Sequence, residues 1–99
     1  MSTKRTLTDL VKHCAANSMT MVCYYDDSDE FDYRGTSWKE AKEALEACDV
    51  MNLLVIDADG KRWGWAHIIN EAGQDPEEQI ADHTCDDGID AWMQHGEDA

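Results

Sequence analysis

The stretch "MNLLVIDADGKRWGWAHII", residues 51–69, does most to restrict the fold. Its apolar run Leu53–Ile56 is followed by Asp57–Ala58–Asp59–Gly60 and then by a second β-rich run, which is the pattern of a hairpin. Asp57 first and Gly60 fourth suit a type I turn. Asp59–Gly60 alone would suit a two-residue primed turn, shifting the register by one residue. In either register, period-two alternation puts Trp63, Trp65, His67 and Ile69 on one face of their strand, and Gly64, Ala66 and Ile68 on the other.

The segments around this hairpin fill out an α+β pattern. In "TLTDLVKHCAAN", Leu7, Leu10, Val11 and Cys14 recur at helical spacing, Thr6 and Asp9 form a cap-like start, and Asn17 can close the helix. "TMVCYY" (20–25) reads as a strand. After the acidic break at 26–29, "EFDYR" resumes the alternation, making a hairpin whose turn carries carboxylates. "TSWKEAKEALEACD" is the clearest helix. Ser37 and Glu40 match a capping box, and Trp38, Ala41, Leu45 and Cys48 share one face. Asp75, Pro76, Glu77 and Glu78 mark a further helix start. Gly88 and the Asp86–Asp87 pair divide that segment into two short helices, the second with Ile89, Trp92 and Met93 inward. The expectation is a single α+β domain over residues 1–99, in the order α-β-β-α-β-β-α. A small antiparallel sheet of three to four strands (two hairpins) carries the helices.

Charge is the strongest functional signal. The formal net charge is −14, and it is uneven. Residues 1–62 hold 12 acids against all 8 Lys and Arg, a net of −4; residues 63–99 hold 10 acids and no Lys or Arg, a net of −10. Such a surface repels nucleic acid and anionic membranes and attracts basic proteins, many of which hold DNA or RNA. Solubility alone, or adaptation to high salt, would give the same sign. No apolar run approaches the ~18 residues of a membrane span. No apolar stretch follows Lys4 and Arg5 as in a secretory signal, so a cytoplasmic protein with reduced thiols is expected.

Chemistry-bearing motifs are sparse. An EF-hand frame starting at Asp26 puts Phe31 where glycine belongs and Ser37 where the bidentate Glu belongs; the Gly60 frame fails similarly, with Val55 first and Ala66 last. His13–Cys14 and His83–Thr84–Cys85 are the close His/Cys pairs, and neither has zinc-finger spacing. Nucleophile-elbow, phosphate-loop and zinc-protease motifs are lacking, and Asp82, His83 and Cys85 sit too close in sequence to face one another on a helix. No enzyme, cofactor or metal is expected.

Two binding surfaces remain. Asp75, Glu78, Asp82, Asp86 and Asp90 recur every three or four residues, so on one helix they would stand about 4.5–6 Å apart. Duplex phosphates lie about 3.4 Å apart per strand. Copying nucleic acid would therefore need a second row, from 26–32 or from Glu40, Glu43 and Glu46. The expected partner-binding set is Asp26, Asp27, Asp29, Glu30, Asp32, Tyr33, Asp75, Glu78, Asp82, Asp86, Asp87 and Asp90. The other surface is aromatic: Tyr24, Tyr25, Phe31, Tyr33, Trp63 and Trp65 fall on hairpin strands, and a sheet with helices on one side cannot bury both faces.

The segments "FDYRGTSWKEAKEALEA", "DADGKRWGWAHII" and "PEEQIADHTCDDGIDAWM" resemble, in composition, size and element order, small acidic accessory proteins of tailed phages and prophages. Inhibitors of host defence, including anti-CRISPR proteins, are common among these. The resemblance implies a non-enzymatic protein, monomeric or homodimeric. Its acidic surface would bind and block a basic host protein that itself holds nucleic acid, without direct contact to nucleic acid or membrane. The alternatives are an interaction module using the Trp/Tyr sheet face, with charge serving only solubility, and a small metal-binding domain or enzyme.

Overall fold

The computed structural model describes residues 6–25, 31–71, 73–74, 78–85 and 87–98. The chain is α+β. Three helices, α1 (Leu7–Ala16), α2 (Trp38–Glu46) and α3 (Gly88–Asp98), accompany five strands. These are β1 (Thr20–Tyr24), β2 (Phe31–Gly35), β3 (Val50–Ile56), β4 (Arg62–Ile69) and β5 (Ile80–His83). They form one sheet in the order β2-β1-β3-β4-β5, antiparallel at every pairing.

The first two helices form for the reasons their sequences give. Thr6 caps α1 reciprocally: its hydroxyl accepts the Asp9 N–H at 3.2 Å while its own N–H donates to Asp9 Oδ2 at 3.1 Å. A cap of this kind is worth about 1 kcal/mol. Asn17 closes the helix by donating from Nδ2 to the His13 carbonyl at 2.8 Å. Ser37 caps α2, accepting from Glu40 N–H at 3.5 Å. Between Asp57 and Lys61 the longer turn is the one adopted. Gly60 N–H donates to Asp57 O at 3.0 Å, and Gly60 takes φ +85, a conformation that disfavours any side chain.

All three helices lie on one face. Met21 and Cys23 of β1, Met51, Leu53 and Val55 of β3, and Ala66 and Ile68 of β4 point into that layer. There they meet Leu7, Leu10, Val11 and Cys14 of α1, Ala41 and Leu45 of α2, and Ile89 of α3. Ile89 sits over Gly64, where a Cβ would collide with its side chain.

Two expectations are corrected. The sheet has five strands, because residues 80–83, placed in a helix by the acidic start signal at 75–78, form β5 instead. The edge of β4 offers this segment backbone partners: Ile69 N–H donates to Gln79 O at 2.9 Å and Thr84 N–H to Trp65 O at 2.9 Å. Ile80 meanwhile packs against the core. The cap of α3 is Asp87, whose Oδ1 accepts Asp90 N–H at 3.2 Å; residues 75–77 and 86 lie outside the described residues. The second correction concerns Trp63, which does not share a face with Trp65. Val55 pairs with Gly64 and Ile56 with Arg62, so Trp63 is the extra residue of a bulge. It turns to the helix side, its ring 5.5 Å from His13 and 6.4 Å from Trp92.

A polar network ties α2 to the far end of β4. Asn70 Nδ2 donates to the carbonyls of Leu45 at 2.8 Å and Cys48 at 2.7 Å, and Gln79 Nε2 donates to Asn70 Oδ1 and Glu46 Oε2 at 2.7 Å each. Burial works against the Glu46 charge, but hydrogen bonds from Lys42 and Gln79 and the Lys42 charge outweigh it and hold the carboxyl below its ordinary range. Its contribution is therefore complete above the ordinary carboxylate pKa and disappears as pH falls through the lowered value. Glu46→Gln should lower stability at pH 7 by about 0.5 kcal/mol, with the difference from wild type vanishing in acid, as read by urea unfolding across pH. Gly64→Ala should cost about 1–3 kcal/mol in the same assay, because Ile89 and its backbone must move.

Candidate functional site

The opposite face of the sheet has no described helix over it. Strand register lays its side chains in rows. One row runs Arg34, Val22, Leu54, Trp65 across β2, β1, β3 and β4. The next runs Tyr24, Asn52, His67, Asp82 across β1, β3, β4 and β5. Thr20 and Ile56 flank them on one side, Val50 and Ile69 on the other. Val22, Tyr24, Leu54, Trp65 and His67 are all half-buried, and Arg34 and Asp82 at the two ends are exposed. The face is thus apolar and aromatic at its centre and charged at its edges, as protein contact surfaces are.

At its middle lies a buried polar pair. Asn52, 1% exposed, sits between the larger side chains of Tyr24 and His67, and its Oδ1 stands 3.0 Å from His67 Nδ1. This contact fixes the imidazole in orientation. Trp65 lies beside it, ring centroids 5.9 Å apart and tilted by 32°. The alternation of β4 places His67 on this face, but nothing in the sequence analysis singled out Asn52. The signal was an amide inside the apolar run "VMNLLVI".

Among the described residues, the expected acidic positions fall at several places in the fold. Asp26, Asp27, Asp29, Glu30, Asp75 and Asp86 lie outside the described residues. Asp32 is exposed on β2 and Asp82 on β5, the two edges of the sheet, four interstrand spacings or about 19 Å apart. Glu78 is exposed just ahead of β5. Tyr33 faces the helix layer, where its hydroxyl accepts the Ser37 N–H at 3.0 Å and its ring packs against the core. Asp87 holds the start of α3 and accepts from the Thr84 hydroxyl. Asp90 accepts from Gln94 at 3.0 Å and stands 3.8 Å from His83 on the helix side. Of the proposed helical row Asp75, Glu78, Asp82, Asp86, Asp90, the described members do not share a helix: Asp82 lies on β5, Asp90 on α3 and Glu78 ahead of β5.

Two other places could hold chemistry. The cleft of about 550 Å³ lined by Thr6, Thr8, Lys42, Glu46, Asn70, Glu71, Gln74 and Gln79 is open and polar. Lys42, Glu46, Asn70 and Gln79 there are bonded to one another, and Gln74 Oε1 accepts the Glu71 N–H at 3.0 Å. Among the described residues, no three His, Cys, Asp or Glu side chains converge as ligands of a metal would. All four cysteines are free. Burial pushes the Cys14 thiol up to about 12, and burial with the charge of Asp32 does the same for Cys23. Such thiols are inert at neutral pH. Exposed Cys85 should therefore react promptly with a thiol reagent in the native protein, while Cys14 and Cys23 should react only on unfolding; mass spectrometry of labelled peptides reads this directly.

No protein-family model, no curated protein and no solved structure matches this chain.

Proposed function

We propose that this protein is a non-enzymatic binding module whose uncovered sheet face receives a positively charged protein, and that the acidic charge of the chain selects and steers that partner. The observation that carries the reading is the row Val22, Leu54, Trp65, with Tyr24 and His67 beside it, over which no described helix lies while the three described helices pack on the other side. A face of this size and composition gains most from exclusion of water by an apolar surface.

Charge chooses the occupant. At −14 the chain repels nucleic acid, anionic membrane and a second copy of itself. A basic protein is the complementary class, and the resemblance to phage accessory proteins directs attention to host proteins that hold nucleic acid. Blocking such a protein needs no copy of a phosphate row. An apolar contact that places the acidic body over a basic groove excludes the nucleic acid by bulk and by field.

The test is capture of host proteins by the immobilised chain, at low and high salt, followed by competition with DNA and RNA. Trp65→Ala and Tyr24→Ala should each weaken capture at least tenfold with the thermal transition kept. Raising salt should slow association more than it speeds dissociation, since the long-range field is screened over about 10 Å at 0.1 M. Capture that survives both substitutions unchanged would sink the sheet face as the contact.

A further inference from the structure

From the corner of the sheet face formed by Trp65, His67 and Asp82 we infer a seat for a guanidinium group, so that the basic partner is anchored by an arginine rather than a lysine. The inference rests on the sheet face being the contact surface and adds the chemistry of its anchor.

Three observations converge on the corner. Trp65 and His67 follow one another on the same face of β4, rings 5.9 Å apart, offering a half-exposed π surface. Asp82 is the cross-strand partner of His67, so its carboxylate rises from the same face one strand away, about 5 Å in backbone spacing, and is exposed. The third is how the chain uses its own cations. Lys12 and Lys39 stand 4.8 Å and 5.7 Å from the ring of Trp38. Among the described residues no lysine or arginine stands over Trp65. The Arg34 of its own row begins three strand spacings away, about 14 Å.

The corner therefore pairs an aromatic plane with a carboxylate, and no described lysine or arginine of the chain stands over its indole. A guanidinium meets both demands at once. Its flat face stacks on the indole while its edge donates two parallel hydrogen bonds to the carboxylate. An ammonium is a compact, strongly hydrated charge that satisfies one demand or the other. Asp82 Oδ1 accepts the His83 N–H at 2.9 Å, which fixes the carboxylate in orientation. The Asn52–His67 hydrogen bond fixes the neighbouring ring in the same way.

The experiment titrates the full chain with hexa-arginine and, separately, hexa-lysine, following the Trp65 indole N–H and the His67 ring by NMR at constant salt. Hexa-arginine should shift both signals and bind about three- to fivefold more tightly than hexa-lysine. Asp82→Asn keeps an oxygen for the His83 N–H, so the fold is retained; it should weaken hexa-arginine binding about threefold, and Trp65→Leu should erase the preference for arginine. Asp32→Asn, on the opposite edge, should change binding by less than half as much. Equal effects of Asp82→Asn and Asp32→Asn, or shifts centred away from Trp65, would overturn the seat. That result would leave the sheet face intact if Trp65→Ala still abolishes capture of the host partner. Capture retained unchanged by both Trp65→Ala and Tyr24→Ala, beside arginine-selective shifts at Trp65, would instead overturn the sheet-face reading and keep the seat.

Discussion

β3 is the element on which the structure depends, because it is hydrogen-bonded on both sides and its alternation fixes the two faces. Met51, Leu53 and Val55 point into the helix layer. The residues between them, Asn52 and Leu54, define the centre of the other face. A slip of one residue against β1 or β4 would exchange the two sets and expose the core. The register is held by the Asp57–Gly60 turn at one end, and at the other by Asn70, whose N–H donates to Asp49 O at 2.8 Å while its side chain holds the end of α2. The same strand thus organises the core and the surface proposed to bind.

Local signals made much of this legible in the sequence. Thr6 with Asp9 forms the full reciprocal cap, Asp57 with Gly60 the turn, and Ser37 with Glu40 one half of its capping box, the Ser37 N–H going to the Tyr33 hydroxyl instead. The signal at Asp75–Glu78 was of the same kind but pointed to the wrong element. Its acids are compatible with a helix start, yet the open edge of β4 offers Ile80–His83 a ladder of backbone partners that a two-turn helix could not match. Long-range pairing decided that segment, and no window of a few residues contains it.

The bulge at Trp63 was invisible for a related reason. Alternation counts every residue, whereas a bulge removes one from the count, and whether it forms depends on what lies opposite. Here the space between His13 and Trp92 accepts an indole, and Gly88 leaves room for its Nε1 edge. The result divides the tryptophans by role. Trp63 and Trp92 weld α1, α3 and β4 together, Trp38 at the start of α2 packs against the core beside two lysines, and Trp65 is on the face over which no described helix lies.

That division changes the meaning of the charge. The sequence invites a reading in which carboxylates make the contact, yet the described acids of the two segments stand at opposite edges, and several are occupied with capping or with histidine. A scattered charge of −14 acts through its field, which is long-ranged, orientationally loose and weakened by salt. A field of this kind attracts basic proteins in general but does not define where one sits. Shape and desolvation define that, and here they are available where Val22, Leu54 and Trp65 cross the sheet. Steering by the whole chain and docking on one face are then separable properties. Neutralising edge acids should change how fast the complex forms, whereas cutting back Trp65 should change how long it lasts.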